Sequence, residues 1–470
     1  MRKRLPQLTV LLLVLLFMQG CAGETRTSPL RVAIPDSDHV QNLTTNYYVN
    51  WLEQRTGLAL EFVTIRQSSG EEYLDALFAS DAEVDAVLFG DGFTVPEKAL
   101  RPYAEAGELA LREDGTCFYP NCGDGPRRGP GQILWINCDW LETLGLAIPR
   151  TTEELRAVLK AFRDGDPNGN GVADEIPLAG AADGYAYSPA ELLLNAYVYN
   201  DPYHARFAPN GAARETVAES DAFREGLAFC ASLYREGLLD AGTYSRTLPQ
   251  LSELVNSPED MVGAFTTDSI SAVIYQGNPE VMARYMHAAP LTGPYGVRNA
   301  LYAERAPSVG AIVPARSTRK DDARRLLDTM LSPEASLIAR YGEQGVDWEF
   351  SDGSDVSVYG GASTIVTKNY IWNTTQNKHL AGIGPMNVPE EYLEGVTWNG
   401  VNSDAEYIDA RARASCRAFL PPIKALPARD EELSAVIDGY VRDFITGERD
   451  VGSDAEWNEY VSALDALSQR

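Results

Sequence analysis

Residues 30–92 read LRVAIPDSDHVQNLTTNYYVNWLEQRTGLALEFVTIRQSSGEEYLDALFASDAEVDAVLFGDG. The run 30–35 is short, apolar and closed by Pro35-Asp36, which predicts a first strand. A helix over 44–55 follows and stops at Gly57. Residues 58–65 alternate as a half-buried strand does, 71–79 are helical, and 84–89 form an apolar strand that runs into Gly90-Asp91-Gly92. The β-α-β-α-β order predicts an α/β sheet with ligand-facing loops at the carboxyl ends of its strands.

The same grammar continues downstream. Residues 132–137 predict a strand, and Asp139-Trp140-Leu141 begin a short helix that ends at Gly145. Thr151 and Glu154 have capping-box spacing, and Leu155, Val158, Leu159 and Phe162 then recur at helical intervals. Amphipathic helices are expected over 223–237 and 321–331, and strands over 262–266 and 311–314. The last third is rich in aromatics and helix signals, including 431–445 and 457–467. No internal repeat and no low-complexity tract is present.

Directly after the capped helix comes Asp166-Pro167-Asn168-Gly169-Asn170-Gly171-Val172-Ala173-Asp174-Glu175. Oxygen-bearing side chains at alternate positions converge in a tight loop, and glycine at the sixth place accepts a left-handed backbone cheaply. Val172, at the seventh place, needs to offer only its carbonyl. Hard oxygen donors of this number suit calcium, bound by Asp166, Asn168, Asn170, Val172, Asp174 and Glu175. An EF-hand would carry glutamate at the twelfth place, where this chain has Pro177, so Glu175 must supply the closing carboxylate. Such a site would be structural. The alternative is a polar turn, since the same residue types cluster in any loop.

Arg2, Lys3 and Arg4 precede an apolar run over 8–17 that ends in Met18-Gln19-Gly20-Cys21. That run is short for a bilayer span and reads as a signal peptide over 1–20, with 21–29 as a polar tether. Simple secretion and an uncleaved anchor are the alternatives. The net charge is −27, and removal of the three basic residues in 1–20 takes it to −30. So acidic a chain is repelled by nucleic acid and by anionic membrane surfaces. Without Cys21, five cysteines remain: Cys117, Cys122, Cys138, Cys230 and Cys416. The odd count leaves at least one thiol unpaired in any intramolecular scheme, Cys117 and Cys122 are spaced for a small disulfide, and Cys230 falls on an apolar helix face. The histidines (His39, His204, His287, His379) form no metal or triad signature.

Several segments together resemble one family. They are Leu134-Trp135-Ile136-Asn137-Cys138-Asp139-Trp140-Leu141, Gly145-Leu146, Pro149-Arg150-Thr151 leading into the oxygen-rich loop, Leu233-Tyr234-Arg235-Glu236-Gly237-Leu238, Gly342-Glu343-Gln344-Gly345-Val346-Asp347-Trp348, Ile371-Trp372 and Phe444-Ile445-Thr446-Gly447. The set is similar to the large lipoprotein branch of the family 1 extracellular solute-binding proteins of ABC importers, a branch that includes alginate-oligosaccharide binders with a calcium loop of this pattern. Cys138, where the family usually has a basic or polar residue, and the stretch 117–128 depart from it.

The resemblance implies an α/β, two-lobed, hinge-bending fold of the type II periplasmic-binding-protein kind, with lobes over 30–135 plus about 290–345 and over 136–289 plus about 346–470. It implies lipidation of Cys21, attachment to the outer face of the cytoplasmic membrane, a monomer, a carbohydrate ligand and delivery to ABC permease subunits. Stacking on sugar rings calls for aromatic faces, and hydroxyls call for planar polar groups. The expected ligand contacts are Trp372, Tyr119, Trp135, Glu343 and Asp36, whereas Trp140, Trp348 and Trp457 are assigned to packing. Two other classes stay open. A secreted glycoside hydrolase is one, since paired carboxylates can always be chosen among 67 acids. A surface module that binds glycan without transport is the other.

Overall fold

The structure is a computed structural model and describes residues 28–65, 70–79, 83–90, 119–123, 128–209, 215–275, 278–304, 307–369, 371–372, 374–398, 405–423 and 429–468. The chain divides into two compact units, the first made of 1–121, 308–339 and 373–387, the second of 122–307, 340–372 and 388–470. The first crossing therefore falls at 121/122, ahead of the expected 135/136. The strand Ile133–Asn137 explains the difference, because its partners Ala264–Thr267 and Tyr285–Ala288 belong to the second unit. Likewise Tyr302–Glu304 pairs with Arg128–Pro130 and keeps 290–307 in the second unit.

Unit 1 holds a four-stranded sheet in the order Ala311–Ile312, Ala86–Leu88, Leu30–Pro35, Leu60–Ile65. Leu30–Pro35 is parallel to both of its neighbours, and Ala311–Ile312 is antiparallel at the edge. Strand alternation splits the first strand between two cores. Leu30, Val32 and Ile34 face Tyr48, Leu52, Leu326 and Leu327, whereas Ala33 faces Tyr73, Leu74, Leu77 and Phe89. The helix Tyr47–Thr56 is capped by Asn46, whose side chain accepts from the N–H groups of Tyr48 and Val49. A chain segment more than three hundred residues away completes that cap. Tyr47 N donates to the Asn377 carbonyl at 3.0 Å, and Asn46 Nδ2 donates to the His379 carbonyl at 3.0 Å.

Unit 2 is built on an antiparallel sheet in the order Ala264–Thr267, Ile133–Asn137, Tyr285–Ala288. Leu134 and Ile136 pack with Trp140, Leu155, Phe162 and Leu227 on one face, and Ile133 and Trp135 with Phe265, Ile270 and Cys416 on the other. The helix Thr152–Asp164 starts at Thr151, whose hydroxyl accepts from Glu154 N at 3.1 Å. The Glu154 carboxylate closes on Arg150 N at 2.7 Å, one residue earlier than a standard capping box. Asp221–Arg235 and Glu431–Thr446 bury their apolar stripes in the first of these cores. Trp140, Trp348 and Trp457 are buried, and Cys230 is a fully buried thiol. Cys117 and Cys21 lie outside the described residues.

Candidate functional site

The oxygen-rich loop leaves the helix Thr152–Asp164 and ends where Ile176 bridges to Val262. Asp166, Gly169 and Gly171 take the left-handed region, with φ of 46°, 70° and 74°. Both oxygens of the Asp166 carboxylate accept from Gly171 N, at 3.3 and 3.2 Å. Asn168 Oδ1 accepts from Asn170 N at 3.1 Å, and Asn170 Oδ1 from Val172 N at 2.6 Å. The Nδ2 groups of Asn168 and Asn170 reach Asp174 Oδ1 at 3.5 and 3.1 Å, and rotation of either amide exchanges donor for acceptor. Glu175 Oε1 is buried without a hydrogen-bond partner. Burial, then the Asp174 and Asp166 charges, push the Glu175 carboxyl above its usual range. A buried carboxylate oxygen without a donor, crowded by like charge, suits a hard cation, although among the described residues no three acidic, thiol or imidazole groups converge as a metal site. Val172 places its side chain in solvent, as a carbonyl donor can.

The five expected ligand residues fare differently. Trp135 is fully buried in the second unit's sheet and Tyr119 is 1 % exposed in the first unit's core, so neither presents a face to a ligand. This corrects both assignments: each aromatic stands on the core side of its unit, where apolar area outweighs any need for a stacking surface. Glu343 opens a tight turn, its N–H donating to Asp347 Oδ2 at 2.9 Å. Trp372 is half-buried, with Nε1 donating to the Arg340 carbonyl at 2.8 Å and the Arg340 guanidinium 5.1 Å from its ring centre. Asp36 is exposed at the carboxyl end of the strand Leu30–Pro35.

A cluster that sequence reading did not find gathers beyond the end of the strand Ala264–Thr267 in unit 2. Gln132, buried, donates through Nε2 to the carbonyls of Tyr185 and Ser188 at 3.0 and 2.8 Å and to Thr266 Oγ1 at 3.2 Å. One amide thus pins the 185–188 turn to the sheet. That turn presents two half-buried rings, Tyr185 and Tyr187, and Tyr185 meets Tyr203 edge to face at 5.1 Å. Burial first and Asp268 second raise the Tyr203 phenol to about 12 and the Tyr187 phenol above its ordinary value. Asp409 accepts from Ser269 Oγ at 2.5 Å and from Ile270 N at 2.7 Å, and Arg413 Nη2 donates to the Asp268 carbonyl at 2.9 Å. Burial pushes the Asp409 carboxyl up to about 6, against the lowering effect of those two donors. Half-exposed tyrosine faces beside carboxylates and a guanidinium suit a neutral, polyhydroxylated ligand better than a charged one. The local signal was the Tyr185-Ala186-Tyr187 alternation just past Gly184.

Residues 44–336 match the sequence profile described as bacterial extracellular solute-binding protein. A stretch of 150 residues is 38% identical to the fructooligosaccharide ABC transporter substrate-binding protein FusA of Streptococcus pneumoniae, covering 31% of this chain and 28% of that protein. Lipoprotein LipO of Bacillus subtilis is 22% identical over 329 residues, 64% of each. The matched stretches thus span less than two thirds of either relative's length. The solved structure of FusA with kestose superposes with a TM-score of 0.62 at 20% identity, covering 94% of this chain and 97% of that one. An HMO-binding, ABC-transporter-associated solute-binding protein of Bifidobacterium longum infantis superposes at 0.63 and 20% identity, covering 93% and 96%. These likenesses show the α/β, two-lobed fold of periplasmic-binding-type proteins.

Proposed function

The chain belongs to the bacterial extracellular solute-binding protein family, and on that premise we propose that it captures an uncharged oligosaccharide and delivers it to the permease of an ABC transporter. The observation that carries the ligand class is the cluster of Tyr185, Tyr187, Tyr203, Asp268, Asp409 and Arg413, in which aromatic faces, carboxylates and a guanidinium share one edge of unit 2. FusA, described with kestose, supports the same class. Trp372, with its ring half-exposed, keeps a stacking role in this proposal, and Asp36 and Glu343 keep theirs as hydroxyl acceptors. Ligand capture that favours one arrangement of the protein over another would signal loading to the permease.

The loop 166–175 would hold calcium through Asp166, Asn168, Asn170, the Val172 carbonyl, Asp174 and Glu175, supported by the buried, partnerless Glu175 oxygen. A solved form of FusA is described as an EF-hand mutant, which supports a calcium loop in this branch. The bound ion would offset two of the three carboxylate charges and brace the loop, with no part in chemistry. Cys21 would carry the lipid anchor after removal of 1–20, in keeping with the lipoprotein LipO.

Isothermal titration of the purified protein with fructans, maltodextrins and short peptides tests the reading. Saturable heat with one saccharide series, and unchanged saccharide on chromatography afterwards, is the expected result. Release of shorter products would instead make the protein a glycoside hydrolase.

A further inference from the structure

The loop 166–175 carries a reactive pair whose chemistry is independent of saccharide binding. Asn170 is followed by Gly171, and both residues are exposed. An asparagine amide is open to attack by the main-chain nitrogen of the next residue, and glycine leaves that nitrogen least shielded because it has no Cβ. A Cβ at Gly171 would meet nothing within 4 Å, so the pair is uncrowded and water reaches it freely. The same dipeptide stands just before it, at Asn168-Gly169, which gives a comparison inside one loop.

Two contacts set Asn170-Gly171 apart. Gly171 N donates to both oxygens of the Asp166 carboxylate, at 3.3 and 3.2 Å, so the proton that the attacking nitrogen must lose already points at a base. Asn170 Oδ1 accepts from Val172 N at 2.6 Å, so charge that develops on this oxygen during attack meets a fixed main-chain donor. Asn168-Gly169 has only the second of these. Asn168 Oδ1 accepts from Asn170 N at 3.1 Å, but Gly169 N donates to the Asp166 carbonyl at 3.1 Å, and a peptide carbonyl is no base. Asn168 is also half-buried, with Nδ2 3.4 Å from the carbonyls of Glu259 and Asp260. Base and donor thus converge on one of the two pairs.

We infer that Asn170 is a site of spontaneous covalent modification: Gly171 N attacks Asn170 Cγ, and the side-chain nitrogen leaves as ammonia. The new N–Cγ bond closes a succinimide ring as the Cγ–Nδ2 bond breaks. Asp166 takes the proton from Gly171 N and passes it to the departing nitrogen, so the carboxylate is regenerated. Water then opens the ring at either carbonyl and leaves aspartate or isoaspartate at position 170. The product changes the loop. In the unmodified chain Asn170 Nδ2 donates to both oxygens of Asp174, at 3.1 and 3.2 Å, and a carboxylate in its place repels Asp174. Modification therefore puts like charges where a hydrogen bond had braced the loop.

The test is incubation of the purified protein at mildly alkaline pH with chelator. Mass spectrometry of the peptide that contains 166–175 then reads each position, with fragmentation that separates aspartate from isoaspartate. Both products are expected to accumulate at 170 while Asn168 stays an amide, and Asp166→Asn is expected to lose most of that conversion. The urea-unfolded wild type, in which Asp166 is no longer held against Gly171, is expected to convert 168 and 170 alike. That comparison requires no variant to fold. No conversion at 170, or equal conversion of both asparagines in the folded protein, would overturn the assignment. The same preference in urea would overturn it too, because the local sequence and not the fold would then determine the site. An unchanged rate in Asp166→Asn would do so as well, since the base would have no part.

Discussion

Replacing Arg206 by methionine isolates the central polar device of unit 2. The guanidinium is fully buried and bonds Glu191 at 2.6 Å and Asp438 at 2.9 Å, with the Glu191 side chain 5% exposed. Burial alone would lower its pKa, and the two carboxylates more than reverse that. Glu191 also accepts from Asn200 Nδ2 at 2.7 Å, and Asp438 from the Tyr185 hydroxyl, so the network joins four chain segments. Methionine fills most of the volume and removes only the charge. A carboxylate then stays buried without its cation, a loss of about 3–5 kcal/mol. With about 2.1 cal/mol/K of unfolding entropy per residue, a unit of roughly 300 residues would lose about 5–8 °C in melting temperature. Differential scanning calorimetry at neutral pH reads the shift directly. The triple variant Arg206→Met, Glu191→Gln, Asp438→Asn should recover part of the loss, because it removes the stranded charges as well. A change below about 1 kcal/mol in the single variant would refute the reasoning, since the pairs would then be behaving as exposed ones do.

Calcium should raise the melting temperature of the wild type and not of Glu175→Gln, with chelator reversing the effect in calorimetry. The carboxyl of Glu175 is raised, so without an ion its contribution to stability is greatest at low pH and is lost as pH rises; calcium needs the ionised form, and the calcium-induced shift should therefore grow with pH. Asp409, pushed up to about 6, likewise stabilises below the ordinary aspartate range and ceases to do so as pH passes through about 6. Asp409→Asn should flatten that part of the stability–pH curve between about pH 4 and 7 in thermal melts. Trp135→Ala should cost about 3–5 kcal/mol in denaturant titrations, since this fully buried ring would leave a cavity in the sheet's core.

Local signals carried much of the fold. The strand Leu30–Pro35 has the bounds its apolar run predicts, and Thr151, Gly57 and Asn46 end or begin helices through contacts within a few residues. The tight oxygen-rich turn over 166–175 was legible for the same reason, since its polar side chains and glycines lie in ten consecutive positions. The tyrosine–carboxylate cluster around Asp409 was not. Ser269 and Asp409 meet across 140 residues, and no periodicity relates them. Tyr119 and Trp135 show the converse failure: an aromatic in a loop or on a strand can face a core as readily as a ligand, and only burial decides. The lobe boundaries were misplaced because strand partners, and not composition, determine which unit a segment joins.

The cap on the helix Tyr47–Thr56 bears on biosynthesis. Its first N–H groups are satisfied by carbonyls of Asn377 and Lys378, and Leu380 and Ile383 fill the core beneath it. The amino-terminal unit therefore cannot close until almost the whole polypeptide has emerged, although its first strand is made at the outset. Late, long-range closure of this kind slows folding. It also means that a chain truncated after residue 372 would strand the first unit without its cap and part of its core.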